Sequence, residues 1–154
     1  MIDRDRPRTR WLPDALALCT LCLLIVMSFW SLVGQGRVLA AGDIFTYFYP
    51  YWAAATRALR AGRLPLWNPH IFTGAPFLAN SQVGLLYPVN WLLWMLLPPH
   101  WSVHATIVVH VCLAALNAYA WGRSSLGLRP LGAWATGFAY ALGGYLGAQV
   151  EHVN

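Results

Sequence analysis

A chain of 154 residues that is 58% hydrophobic and only 10% charged falls well below the roughly 25% charge of an ordinary soluble domain, which excludes water as its main solvent. The formal net charge is +5 and all ten basic residues are Arg, but they flank apolar runs instead of clustering on a polar face, which argues against a nucleic-acid partner. The three cysteines sit inside apolar stretches and exclude a disulfide scaffold.

The segment 1–14 is Arg-rich, with Arg4, Arg6, Arg8 and Arg10 ahead of an uncharged run from Ala15 to Val33. A hydrocarbon core about 30 Å thick needs about 20 helical residues, so 15–33 is predicted to be a first transmembrane helix. Only Arg37 follows closely on the far side, and the positive-inside rule then places the N-terminus in the cytoplasm. A cleaved signal peptide ending near Val38, Leu39, Ala40 and Ala41 is the rival reading, but signal cores run only about 7 to 15 residues. Cys19 and Cys22 have metal-ligand spacing, yet inside such a span they read as small core residues.

The next stretch, 34–101, is expected to be an extracytoplasmic loop. Its aromatic, Pro and Gly content is too high for a flexible linker. Asp43 is the only acid between Asp14 and Glu151, and its plainest role is an N-cap for the helix that follows. Pro50 is expected in the first turn of a helix ending at Gly62. In it Trp52, Thr56, Leu59 and Arg63 form one stripe with Arg57 and Arg60 beside it, a pattern that suits a helix lying on the membrane surface near phosphates. Pro98 and Pro99 divide the later apolar region. Trp91 to Leu97 is therefore predicted as a short interfacial or re-entrant piece, with Trp91 and Trp94 in the headgroup zone, and 102–120 as the second transmembrane helix. His100 and His104, one helical turn apart, have the spacing of a metal pair but no third ligand.

The connector 121–130 carries Arg123 and Arg129 and no acid, as a short cytoplasmic loop should. A third transmembrane helix follows at 131–150, with Gly143 and Gly147 at small-xxx-small spacing. Residues 151–154 start a second outer loop. The expected fold class is thus all-α and integral to the membrane, with about three transmembrane helices and a large outer loop holding short interfacial helices. Three spans make a small bundle, so the chain is expected to be the N-terminal part of a larger polytopic protein.

The loop also carries an ordered set of motifs: Gly42-Asp43, the aromatic-Pro step at Tyr49-Pro50, Leu64-Pro65-Leu66-Trp67-Asn68-Pro69, Gly74-Ala75-Pro76-Phe77-Leu78-Ala79-Asn80 and Tyr87-Pro88-Val89-Asn90. From about Ala41 to its end the chain resembles the bacterial YfhO-like membrane protein family. That family is similar to GT-C-type glycosyltransferases, which take a sugar from a polyprenyl-phosphate carrier on the outer face of the membrane. The resemblance implies a protein of the bacterial plasma membrane that meets membrane lipid, a lipid-linked sugar donor and a cell-envelope glycan or lipid acceptor, and no nucleic acid. It matches Asp43 to the catalytic acid after the first span, and Glu151 loosely to a second acidic position. It leaves the cofactor open, because members of the wider group differ in their use of a divalent metal.

Glycosyl transfer needs a base for the acceptor hydroxyl and cations for the departing phosphate. In that scheme Asp43 is the base, and Arg57, Arg60 and Arg63 are the candidate phosphate ligands. Asn68, His70, Asn80 and Gln82 are candidates for sugar hydroxyls, although Asn beside Pro is also ordinary turn chemistry. The alternative from another class is a non-catalytic transporter or assembly subunit for lipid-linked saccharides.

Overall fold

The computed structural model describes residues 11–39 and 42–145; the arginines before Trp11, Gly147 and Glu151 lie outside them. The described chain is mostly helical. It comprises α1 (Leu12–Ser28), a single turn α2 (Trp30–Val33), a π-helical turn (Ile44–Phe48), α3 (Tyr49–Arg60), the short strands β1 (Trp67–Asn68) and β2 (Ala75–Pro76), a 3-10 turn (Ser81–Val83), α4 (Pro88–Leu96), α5 (Pro99–Ser124) and α6 (Pro130–Ala141). The strands pair antiparallel, Trp67 opposite Pro76 and Asn68 opposite Ala75.

Proline sets most of these boundaries. Each helix longer than one turn has a proline among its first residues, where a missing N–H costs nothing and the fixed φ is already helical. The residue before a proline is pushed to extended geometry, and Leu97 (φ −118°, ψ 153°) ends α4 in this way. Pro50 has a further effect. Helical backbone runs back beyond it to Asp43, and the ring of a proline inside a helix clashes with the carbonyl four residues earlier. The turn just before it is accordingly widened from α to π over Ile44–Phe48.

Among the described residues α5 alone is long and apolar enough to cross a membrane: 26 residues, with a mean hydropathy of 1.6 over its best window. The predicted first span is α1, apolar but 17 residues long, interrupted at Phe29 before the single turn of α2. The predicted third span is helical over Pro130–Ala141 and leaves regular helix before Gly143.

The chain divides into two compact units. The first takes the described residues up to Ser31 and from Val108 onward, and the second takes Leu32–Ile107. In the first unit α1 packs on α6, with Leu21 and Ile25 fully buried. Gly137 of α6 sits so close to its neighbours that an added Cβ would lie 2.7 Å from Leu21 Cδ2 and 2.8 Å from the Ala115 carbonyl oxygen. Small residues are what allow helix backbones this near one another.

Polar contacts hold one end of the same unit. Arg123 donates from Nε to Asp14 Oδ1 (2.6 Å), from Nη2 to Asp14 Oδ2 (3.2 Å) and from Nη1 to the Leu128 carbonyl (2.6 Å), and the Tyr119 hydroxyl donates to Asp14 Oδ1 (2.5 Å). One carboxylate thereby ties α1 to α5, while the guanidinium also fixes the α5–α6 turn. Asp14 precedes the apolar run beginning at Ala15, and the hydrogen bond from Arg123, helped by that from Tyr119, holds its carboxyl below the usual carboxylate range. A depressed folded value means the contribution is complete above the unfolded pKa and is lost as pH falls through the folded one. The melting-temperature advantage of the wild type over Asp14→Asn should therefore be level above about pH 5 and shrink below about pH 4. An advantage that stays constant down to about pH 2 would remove the charged pair from the account.

In the second unit α3 packs on α4. The first half of the stripe expected on the membrane surface points inward: Trp52 is fully buried, Thr56 is 2% exposed, and Trp52 meets Trp94 edge-to-face at 5.3 Å between ring centroids, whereas Arg63 lies beyond α3 and is exposed. Trp94, expected among headgroups, is likewise fully buried. An indole pair buries more apolar area against each other than either indole keeps at an interface, so these aromatics form the core of the loop.

Candidate functional site

Four of the candidate residues, Arg57, Arg63, Asn68 and His70, line an open cavity of about 160 Å³ in the second unit. Arg57 enters from the last turn of α3, and Gly62, in the left-handed region at φ +69°, reverses the chain so that Arg63 reaches the same wall. Asn68 and His70 enter from β1 and the residues after it. Asn68 is 5% exposed, and its Oδ1 accepts the His70 backbone N–H at 3.0 Å. This is an Asx turn, so the Asn68 carbonyl oxygen orients His70 and is engaged in doing so.

Behind the cavity stands an aromatic column. Phe77, 1% exposed, lines it and stacks on Tyr51 (5.6 Å, 20°), which stacks on Tyr47 (4.1 Å, 25°). Burial, with Tyr47 alongside, pushes the Tyr51 phenol above its ordinary pKa, so it stays neutral. The Trp67 indole supplies another wall and lies directly against Gly74, where an added Cβ would come within 2.6 Å of Trp67 Nε1. Sequence reasoning did not single out Tyr47, Tyr51 or Phe77 as a unit. The four-residue spacing of the two tyrosines was the available signal.

The other candidates are placed elsewhere. Arg60 is committed to α4: Nε and Nη2 donate to the Trp94 carbonyl (3.2 and 3.0 Å) and Nη2 also to that of Leu97 (2.8 Å). A helix C-terminus leaves carbonyls unsatisfied, and the guanidinium fork serves them here instead of facing the cavity. Asn80 Oδ1 accepts the Gln82 N–H (3.1 Å) and its Nδ2 donates to the Tyr47 hydroxyl (2.6 Å), so Asn80 caps the 3-10 turn and braces the aromatic column. Gln82 is exposed. Neither lines the cavity.

Asp43 immediately precedes the π turn, is exposed and makes no capping hydrogen bond. Its backbone is already helical (φ −67°, ψ −20°), whereas an N-cap needs extended geometry to aim its side chain at the first free N–H groups. The expected capping role is thus not the one it has. Asp43 is not among the residues lining the cavity. Glu151 lies outside the described residues.

Among the described residues no group of three or more His, Cys, Asp and Glu is placed to hold a metal ion. Of the predicted histidine pair, His100 is exposed and His104 is buried. His104 Nε2 accepts the Leu39 N–H (3.4 Å) and lies 3.3 Å from the Tyr49 hydroxyl. That pairing ties the start of the loop and the head of α3 to α5, and burial pushes the Tyr49 phenol up, so that it stays neutral.

The cavity can bind an anion. It holds two guanidinium groups and an imidazole edge, with an aromatic wall and no carboxylate among its lining residues. Planar guanidinium groups suit phosphate oxygens, and an indole face suits the C–H face of a sugar ring. No family model matches the chain, nor does any curated protein or solved structure.

Proposed function

We propose that this chain belongs to a multi-pass membrane glycosyltransferase of the GT-C type, YfhO-like, that moves a sugar from a polyprenyl-phosphate donor to a cell-envelope acceptor on the outer face of the plasma membrane. The N-terminus is cytoplasmic in this reading, and the apolar stretches of α1 from Ala15 onward, of α5 and of α6 lie in the membrane. The observation that carries it is the juxtaposition of Arg57, Arg63 and His70 in one cavity beside the Trp67 wall. The donor phosphate sits against the two guanidinium groups. As the acceptor oxygen bonds to the anomeric carbon, the bond from that carbon to the phosphate oxygen breaks, and the charge left on the phosphate is met by the arginines. Asp43 takes the acceptor's proton.

The test is a transfer assay with lipid-linked donor in the full-length protein. Arg57→Gln and Arg63→Gln should each raise the donor KM about 10- to 100-fold, the loss expected when a hydrogen bond to a charged group is removed. Unchanged KM in both variants would take the phosphate out of this cavity.

A second reading has its own support. Asp43 lies outside the cavity lining, as it would in a transporter or assembly subunit that binds the lipid-linked saccharide without cleaving it. Donor binding that depends on Arg57 and Arg63, with no turnover by the full-length protein, would favour that reading.

A further inference from the structure

The hairpin joined by β1 and β2 ends in a tip that its own packing does not explain. Phe72 is 88% exposed, more than any other large hydrophobic side chain among the described residues. It is also held in the left-handed region at φ +47°, followed by Thr73 at φ +62° and Gly74 at φ +116°. Bulky and β-branched residues rarely adopt positive φ, and two in succession persist only where the surroundings enforce them.

The stem does enforce them. The Trp67 indole presses on Gly74, the Asn68 side chain holds the His70 N–H, the Gly74 N–H closes a turn on the Ile71 carbonyl at 2.7 Å, and the Phe77 N–H bonds the Leu66 carbonyl at 2.8 Å. The hairpin is built to present an aromatic ring outward. Leu66 and Trp67 on the same arm are 56% and 58% exposed, so the apolar surface is not confined to the tip.

Charge decides what that surface fits. Arg57, Arg63 and His70 line the cavity at the base of the hairpin, and the sequence has no acidic residue from Ile44 through Val150. An aromatic tip backed by cations without anions is complementary to an anionic lipid surface, where a ring enters the headgroup zone and the cations meet phosphates.

We propose that the 67–76 hairpin is a membrane wedge, with Phe72 seated in the headgroup region of an anionic bilayer. This gives the loop a membrane contact in place of the α3 stripe, whose Trp52 packs on Trp94 of α4 and whose Thr56 is buried. The inference is independent of sugar transfer: a wedge serves an enzyme and a carrier alike, and its test has no catalytic readout.

The experiment uses the full chain in phosphatidylglycerol vesicles, with Cys19, Cys22 and Cys112 replaced by Ala and a nitroxide attached at Phe72→Cys or, for comparison, at Ser81→Cys. Both positions are exposed, so the label disturbs no core. Collision of the nitroxide with oxygen, which partitions into lipid, and with a water-soluble nickel chelate reports its depth. The oxygen-to-nickel ratio at position 72 should exceed that at position 81 several-fold and should fall when phosphatidylcholine replaces phosphatidylglycerol. Equal ratios at the two positions, a label at 72 shielded from both reagents by protein, or a ratio indifferent to lipid charge would each overturn the proposal.

Discussion

Asp43→Asn in the full-length protein should reduce sugar transfer by about 10²- to 10⁴-fold, the usual contribution of a general base, while expression and membrane level stay near normal. The structure sharpens this test. Asp43 makes no capping hydrogen bond, and Asn has the same size, so no capping role is removed with the charge. The loss should fall on kcat, because the base acts on the acceptor proton in the transition state and not on donor binding. A metal-binding role would suffer from the same change, so the assay needs a parallel chelation series. Chelation that abolishes wild-type turnover would assign Asp43 to a metal, whereas insensitivity would leave it the base. Wild-type turnover by purified, folded Asp43→Asn would end the catalytic reading and leave the carrier as the better account of the cavity.

Gly137→Ala should destabilise the helical unit by about 1–3 kcal/mol, the usual cost of overpacking a filled interior. Its new methyl would meet Leu21 Cδ2 at 2.7 Å and the Ala115 carbonyl oxygen at 2.8 Å. Leu21 can change rotamer; the Ala115 backbone cannot move unless α5 and α6 separate. Helix propensity acts the other way, since Ala is better than Gly in a helix by up to about 1 kcal/mol, but steric contact with backbone is the larger effect. Gly144→Ala supplies the comparison, because nothing lies within 4 Å of a Cβ built there. Thermal unfolding in detergent should show a lowered midpoint for position 137 and none for position 144. Equal midpoints would mean that α6 does not approach α1 and α5 at Gly137.

Local rules recovered the boundaries best. The break at Pro98-Pro99, the α3 stop at Gly62 and the place of Pro50 in the first turn of α3 were legible, because proline and glycine act on their immediate neighbours. Partner choice was not legible. The periodicity of Trp52, Thr56 and Leu59 shows that one face of α3 needs an apolar partner, but periodicity is blind to whether lipid or Trp94 supplies it. Charge was equally ambiguous. Arg57, Arg60 and Arg63 looked interchangeable in sequence, and only three dimensions separate Arg60, which serves the carbonyls ending α4, from the two that line the cavity. The Asp14–Arg123 pair spans 109 residues, a separation at which nothing short of folding identifies the partner. The candidate residues of the cavity wall were visible as a cluster because Asn68 and His70 are close in sequence, while the column behind them joins Tyr47 and Tyr51 to the distant Phe77.

The prolines that open the helices carry a consequence for how the protein is made. A helix whose start depends on a distant contact cannot settle its first residue until that contact exists. Here the starts of α4, α5 and α6 are written into the covalent chain by a ring that fixes φ and forbids an earlier bond to that nitrogen. As the nascent chain leaves the ribosome, α4, α5 and α6 each acquire a defined first turn in synthesis order, before any later helix is available to pack on. A defined first turn fixes the register at which each apolar stretch begins, so helices can rotate or re-dock on one another without changing where they start.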